Sequence, residues 1–174
     1  NEHTNVYGYE QGFWGLNNNV KRKLLEADVS QLQDKPGTIL HTSRERLNIG
    51  HAAYSISMLD KLYCIGGNGT LEAAKIIHDS FYKINVIGIA KTIDNDIHEL
   101  DSFGYQTAVE ETSKCVQCAH TEATSMCCVV FIETMGRNSG FLAAQAAQAS
   151  GGYVDYCIVP EMPFDPCVYF DTVK

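Results

Sequence analysis

The sequence predicts an α/β fold, a Rossmann-like three-layer αβα arrangement around a mostly parallel sheet. Three observations carry this. Short apolar runs alternate with longer stretches of helical periodicity. The runs are near-continuously apolar rather than alternating, as in parallel strands covered on both faces. Polar, glycine-bearing segments follow those runs, and in such sheets ligands bind beyond the carboxyl ends of the strands.

Taken in order, Lys35-Pro36-Gly37 is a turn signal and Thr38–Thr42 a short β-like run. Arg44 to Leu59 reads as helical. Lys61–Ile65 (KLYCI) is a compact strand ending at Gly66-Gly67. Leu71–Tyr82 places apolar residues at 73, 74, 76, 77 and 81, one helix face. Ile84–Ala90 (INVIGIA) is a second buried strand, residues 91–101 are polar and turn-like, and Phe103–Ala123 is a long helix. Met126–Ile132 (MCCVVFI) is a third strand, Gly140–Ala149 an alanine-rich helix and Tyr153–Val159 a last strand. No repeat or low-complexity segment interrupts this order, apart from Asn17–Asn19.

A length of 174 residues suits one domain, residues 1–174. A net charge of −8 argues against non-specific nucleic-acid binding. It still permits phosphorylated ligands, which local cations and backbone N–H groups can hold. No apolar run approaches the roughly 20 residues that span a bilayer, so no membrane partner is expected. The polar start, Asn1–Tyr9, lacks the basic and apolar regions of a signal peptide. Seven cysteines, an odd number with several in apolar runs, fit reduced thiols and a cytoplasmic location. Cys115 and Cys118 form a C-x-x-C near His120, but no second ligand pair follows at metal-site spacing, which favours a plain helix face.

Four segments at strand ends carry candidate chemistry. Gly66-Gly67-Asn68-Gly69-Thr70 offers close backbone approach and a following helix N-terminus for phosphate, with Thr70 a possible N-cap; an ordinary glycine turn reads the same way. Lys91-Thr92-Ile93-Asp94-Asn95-Asp96 sets two carboxylates two residues apart. One can take a proton from a substrate hydroxyl while the other holds a cation, the division that phosphoryl transfer needs. The competing reading is a solvated turn that caps the next helix. Met135-Gly136-Arg137-Asn138-Ser139-Gly140 places a guanidinium that can fork onto phosphate, or else a helix start capped by Asn138 or Ser139. Val159-Pro160-Glu161 ends on a carboxylate able to accept from a sugar hydroxyl or simply to face water.

Together these residues resemble the phosphofructokinase family, in its plant and trypanosome ATP-dependent form. GGNGT is similar to the family's GGDGT loop, KTIDND to its most specific signature, MGRNSGFLAAQAA to its MGR segment and VPEMPF to its later Glu motif. TILHTSR (38–44), YEQGFWGL (9–16), SFGYQTAV (102–109) and AHTEATS (119–125) also match in kind. The resemblance covers the whole chain and implies a partial phosphofructokinase fold. It implies that ATP and fructose 6-phosphate are the partners, Mg²⁺ and ATP the cofactors, and a homo-oligomer the working form. It implies Asp94 as catalytic base. Thr92, Asp94, Met135, Gly136, Arg137 and Glu161 would bind the sugar phosphate. Arg44, Gly66, Gly67, Asn68, Gly69, Thr70 and Lys91 would bind the nucleotide, with Tyr9 nearby. Asp96 would hold the metal, weakly assisted by Asn68.

Gly69 and the IDND pattern favour ATP over pyrophosphate as donor; Lys91 is compatible with both. Three positions depart from the pattern: Asn68 for a metal-supporting Asp, His41 for Gly, and Ala90 for Pro. The family's amino-terminal glycine-rich loop and carboxy-terminal half have no counterpart here. The expectation is therefore an internal piece of a longer chain, not a competent kinase alone, or a decayed relative.

Overall fold

The computed structural model describes residues 4–33 and 35–172. In chain order the elements are β1 (Tyr7–Tyr9), α1 (Phe13–Asn18), β2 (Lys21–Lys23), α2 (Glu26–Val29), α3 (Ile49–Ser57), β3 (Lys61–Gly66), α4 (Asn68–Ser80), β4 (Asn85–Ala90), α5 (Tyr105–Met126), α6 (Phe141–Ala149) and α7 (Pro166–Thr172). The fold is mixed α/β. The chain forms two compact units, the stretch up to Cys64 with Glu72–Gly88, and Ile65–Leu71 with Ile89 onward. The segment β3–α4–β4 contributes to both.

In the first unit β1 and β2 pair antiparallel, Gly8 opposite Arg22. Helices α1 and α3 pack together. Leu16, Ala52, Ile56, Leu62, Cys64, Ala74, Ile77 and Ile84 form its core. The apolar spacing of α4 explains its share, since Ala73, Ala74 and Ile77 fall on one face and are buried. Burial raises the Cys64 thiol to about 11. Asn17, buried at the end of α1, joins this unit's loops. Its Nδ2 donates to Glu45 Oε1 (2.9 Å) and to the Arg46 carbonyl (3.0 Å), and its Oδ1 accepts from Asn48 N–H (3.0 Å). Asn48 in turn caps α3 by accepting from His51 N–H.

β3 and β4 pair with each other. Asn85 N–H donates to Asp60 C=O (3.2 Å) and Lys91 N–H to Gly66 C=O (2.8 Å). Both partners advance by six residues between these bonds, as they do in parallel strands. The crossover is α4, giving the βαβ unit that the alternating pattern predicts.

In the second unit α5 and α6 pack together around Tyr105, Val109 and Leu142. The Tyr105 hydroxyl donates to the Phe141 carbonyl at 3.1 Å. Tyr156, Phe164 and Phe170 gather about Tyr169, with ring centroids 5.3–5.8 Å from it.

Four sequence expectations differ from the structure. Met126–Ile132 is not a strand: α5 runs on to Met126 and ends at Cys127 in the left-handed region (φ 50°). Tyr153–Val159 and Thr38–Thr42 also lack ladder pairing. An apolar run becomes a strand only where a neighbour offers backbone partners. Cys128 N–H still turns back to Ala123 C=O (3.1 Å), but among the described residues no backbone partner faces 129–132, and Phe131 is 74 % exposed. The predicted helix 44–59 contracts to α3, because Asn17 and Ser43 hold 43–48 as a loop.

Candidate active site

Candidate residues from all four motifs fall in the second unit, while Arg44 and Tyr9 belong to the first. The hydrogen bond from Lys91 N–H to Gly66 C=O sets the carboxyl ends of β3 and β4 side by side. The glycine loop and the KTIDND loop therefore leave the sheet as neighbours. Gly67 lies against Thr92, whose Cβ is 3.6 Å from the place a Cβ on Gly67 would take. Helix α4 begins at Asn68, and the N–H groups of Thr70 and Leu71 donate to Gly67 C=O (3.0 and 3.1 Å). Thr70 is thus in the first turn rather than at the N-cap. Its side chain fills the space above Gly66, where any Cβ would collide with it.

In the second loop Asp94 N–H donates to Thr92 Oγ1 at 3.2 Å. Asn95 takes φ 54°, a left-handed conformation open to Asn at modest strain, and the turn it makes separates the two carboxylates. Asn68 Nδ2 donates to Asp96 Oδ2 at 2.7 Å. Ser139 Oγ donates to the Asp94 carbonyl at 2.9 Å.

That last bond ties the third motif to the second. Gly136 (φ 139°) and Arg137 (φ 52°) turn the chain sharply. Gly136 has no room for a Cβ, because Ser139 C=O occupies that space. Ser139 N–H closes the turn on Gly136 C=O at 3.0 Å. Glu161 Oε1 accepts from Gly140 N–H (2.8 Å), a carboxylate at the start of α6 that complements the helix dipole.

An open cleft of about 720 Å³ results, and it brings together Asn68, Thr92, Asp94, Asp96, Glu133 and Arg137. Gly67, Gly69, Met135 and Gly136 also border it. A neighbouring cleft of about 590 Å³ takes Glu161 and shares Asp96 and Asn138 as its wall. Four candidates of this unit are not in the main cleft's lining: Gly66 and Thr70, which pack on each other, Glu161, which lines only the second cleft, and Lys91, whose ammonium turns toward Gly104, 4.0 Å from where a Cβ there would lie.

Sequence reasoning treated Ser139 only as a possible helix cap and passed over Glu133. The signal for Ser139 was its place in a glycine-bounded turn, where a polar side chain is forced inward; it is 9 % exposed. Glu133 follows an apolar run and carries no comparable signal.

Mg²⁺ is commonly held by one or two carboxylates together with substrate phosphates, not by an all-protein cage. Asp96 and Asp94 on one cleft fit that demand as a partial set. Among the described residues no three His, Cys, Asp or Glu side chains converge to hold a metal unaided. Cys115 and Cys118 are exposed, and the His120 ring stacks on Tyr153 with centroids 4.6 Å apart.

Fold and site together define an α/β protein whose polar cleft opens at the carboxyl ends of adjacent parallel strands. Over residues 1–174 the sequence matches the family described as Phosphofructokinase. It is 39 % identical over 170 residues to ATP-dependent 6-phosphofructokinase 1 of Arabidopsis thaliana, covering 91 % of this chain and 35 % of that protein. It is 36 % identical to the ATP-dependent 6-phosphofructokinase of Trypanosoma brucei brucei, covering 91 % and 34 %. It is also 36 % identical to that of Corynebacterium efficiens, covering 92 % and 48 %. A crystal structure of Pichia pastoris phosphofructokinase in the T-state superposes with a TM-score of 0.84 at 22 % identity, over 97 % of this chain and 19 % of that one. This chain belongs to the phosphofructokinase family. It spans about a third to a half of the length of these curated relatives.

Proposed function

We propose that this chain supplies the nucleotide and sugar-phosphate cleft of an ATP-dependent 6-phosphofructokinase, residues 1–174 acting as one α/β domain in that enzyme. The reaction transfers the ATP γ-phosphoryl group to the 1-hydroxyl of fructose 6-phosphate, giving ADP and fructose 1,6-bisphosphate. The observation that carries it is the single cleft shared by Asp94, Asp96 and Arg137 beside the Gly66–Thr70 loop. The three relatives quoted above are each named ATP-dependent, which supports ATP as the donor.

Asp94 acts as the base that takes the 1-hydroxyl proton. Its own backbone is held on both sides, the N–H by Thr92 Oγ1 and the carbonyl by Ser139 Oγ, so the carboxylate is positioned before substrate arrives. Arg137 receives the sugar phosphate as a planar fork, with Met135, Gly136 and Thr92 shaping the approach. Glu161 grips sugar hydroxyls from the adjoining cleft with Oε2, since Oε1 is engaged by Gly140. Gly66, Gly67, Asn68, Gly69 and Thr70 present the first turn of α4 to the nucleotide phosphates, with Lys91 as a further cation. Asp96, with Asn68 beside it, would hold Mg²⁺, which when bound neutralises charge on the transferred phosphoryl group.

A cytoplasmic, homo-oligomeric enzyme completes the reading. Six exposed free cysteines suit a reducing compartment, and exposed apolar residues such as Phe131 and Phe170 suit a subunit contact. Among the described residues no helix is long and apolar enough to cross a membrane.

A coupled assay of ADP release by the full-length enzyme that carries this chain tests the activity, with Asp94→Asn as the paired variant. The expected result is fructose 6-phosphate-dependent release that the substitution lowers by about a hundredfold or more. Release independent of the sugar, or unchanged by the substitution, would overturn it. The neutral Asn68 favours one second reading, a family member that binds ligand or a sister subunit without turnover. Ligand binding with no activity in either the native protein or Asn68→Asp would select it.

A further inference from the structure

Among the described residues only Asp96 and Asn138 border both clefts. Asn138 stands between Arg137, which lines the main cleft, and Ser139, which lines the second. The backbone sets its place. Gly136 and Arg137 turn at positive φ (139° and 52°), and buried Ser139 closes that turn through its N–H and reaches the Asp94 carbonyl through its hydroxyl. The Asn138 amide itself is exposed and has no hydrogen-bond partner among the described residues.

Charge decides which end of a sugar phosphate goes where. Among the described residues Arg137 is the one Lys or Arg that lines the main cleft, and the second cleft has none. The second cleft instead carries Asp96, Glu99, Asp101 and Glu161, with His98. A phosphate is therefore held on the Arg137 side and repelled from the other, whereas uncharged hydroxyls can donate to those carboxylates. Asp94, the proposed partner of the reacting hydroxyl, also lines the main cleft. What is left for the border between the clefts is the sugar ring, with the hydroxyls that lie between its two ends. Asp96 offers only acceptors there, and one of its oxygens already accepts from Asn68 Nδ2. Asn138 offers two donor hydrogens and a carbonyl oxygen. A ring hydroxyl at the border donates to Asp96 and accepts from Asn138 at once. A sugar without that hydroxyl leaves the amide unpaired.

We propose, resting on the sugar-phosphate reading of the main cleft, that Asn138 is a specificity-determining residue. It binds a ring hydroxyl of the sugar phosphate, at C3 or C4 of fructose 6-phosphate. That contact orients the ring so that the phosphate stays on Arg137 while the 1-hydroxyl stays on Asp94.

Calorimetric titration of the full-length protein that carries this chain tests this, with fructose 6-phosphate and its 3-deoxy and 4-deoxy analogues as ligands. Asn138→Ala should weaken fructose 6-phosphate about tenfold, as expected for one lost hydrogen bond. It should leave the affinity of one of the two deoxy analogues within about twofold of native, since that ligand never makes the contact. Asn138→Asp keeps the shape but removes the donors, so it should show a loss at least as large with the same selectivity. It decides alone should Asn138→Ala lose its native circular dichroism. Equal weakening of every ligand would mean that Asn138 acts through the fold. Unweakened fructose 6-phosphate would mean that Asn138 does not touch the sugar. Either result overturns the proposal. The reading of the cleft fails differently. Native protein that binds none of these sugar phosphates strikes that reading and the role of Asn138 with it, whereas native binding without a selective loss in the variants strikes Asn138 alone.

Discussion

Ser139 Oγ donates a hydrogen bond to the backbone carbonyl of Asp94 at 2.9 Å, across 45 positions of sequence. Ser139 is buried and its own N–H closes on Gly136 C=O, so its hydroxyl has little freedom to point elsewhere. Asp94 N–H is held separately by Thr92 Oγ1. The proposed base therefore hangs between two hydroxyls, one on its own loop and one on the MGR turn.

Replacing Ser139 by Ala removes one anchor and leaves the Asp94 carbonyl without that partner. Net stability should fall by about 1 kcal/mol, the usual contribution of one hydrogen bond. Slackening a reactive group by a fraction of an ångström lowers rate more than binding, so kcat should fall about tenfold while KM for either substrate changes little. Steady-state kinetics beside a denaturant melt decide this. Lost stability with unchanged kcat would mean that Ser139 serves the fold alone.

Arg137 separates strain from function. It sits at φ 52°, where a side chain is disfavoured by roughly 1 kcal/mol or more. Arg137→Ala and Arg137→Gly both delete the guanidinium, but only Gly relaxes the backbone. Both should raise KM for the sugar phosphate alike, while Gly melts above Ala by about 1 kcal/mol in unfolding free energy. If Ala is as stable as Gly, the left-handed turn relaxes without cost and no strain is stored there.

The βαβ unit was legible because its signals are local. KLYCI and INVIGIA are short apolar runs, and the helix between them keeps one buried face. The first two motif positions followed, since the ends of β3 and β4 place them, whereas the MGR and VPE motifs follow segments that form no strand. The segments 126–132 and 153–159 misled for one physical reason: an apolar run fixes hydrophobicity, whereas a strand also needs a neighbour's backbone groups, which the run itself does not encode. The opposite error arose at 44–48, whose loop is imposed by Asn17, about 30 positions away. The Asn68–Asp96 and Ser139–Asp94 bonds were illegible on the same grounds. Each joins residues whose separation is set by the turns at Gly67 and Gly136, not by spacing along the chain.

The glycine loop yields a paired test with opposite signs. A Cβ on Gly66 meets the Thr70 side chain, 2.8 Å from its Cβ, so Gly66→Ala must displace the first turn of α4. A cost of about 1–3 kcal/mol is expected, as for other overpacked sites. Gly69 lies within α4, and a Cβ there meets nothing within 4 Å. Gly69→Ala should therefore gain about 0.5–1 kcal/mol, because Ala loses less backbone freedom in a helix. Urea unfolding of the two variants checks both signs, and a stabilised Gly66→Ala would refute the contact with Thr70.

Cys64 links the core to pH. Its thiol, 6 % exposed within the first unit's core, is raised by burial from an ordinary value of 9.0 to about 11. The folded state holds this proton more tightly than the unfolded state does. Its contribution to stability is thus complete below pH 9.0 and is lost as pH climbs toward about 11. Burial also raises Tyr105 and Cys157, which add to the same alkaline loss. Cys64→Ala removes one share while leaving theirs, so the fall in unfolding free energy between pH 9 and 11 should be shallower in the variant. Native-state alkylation at pH 8 supplies the second reading. Exposed Cys115, Cys118, Cys127, Cys128 and Cys167 should label first and Cys64 last, because thiolate and access are both denied to it. Early labelling of Cys64, read by peptide mass, would mean that the core around Leu62 and Ile77 opens far more readily than its packing implies.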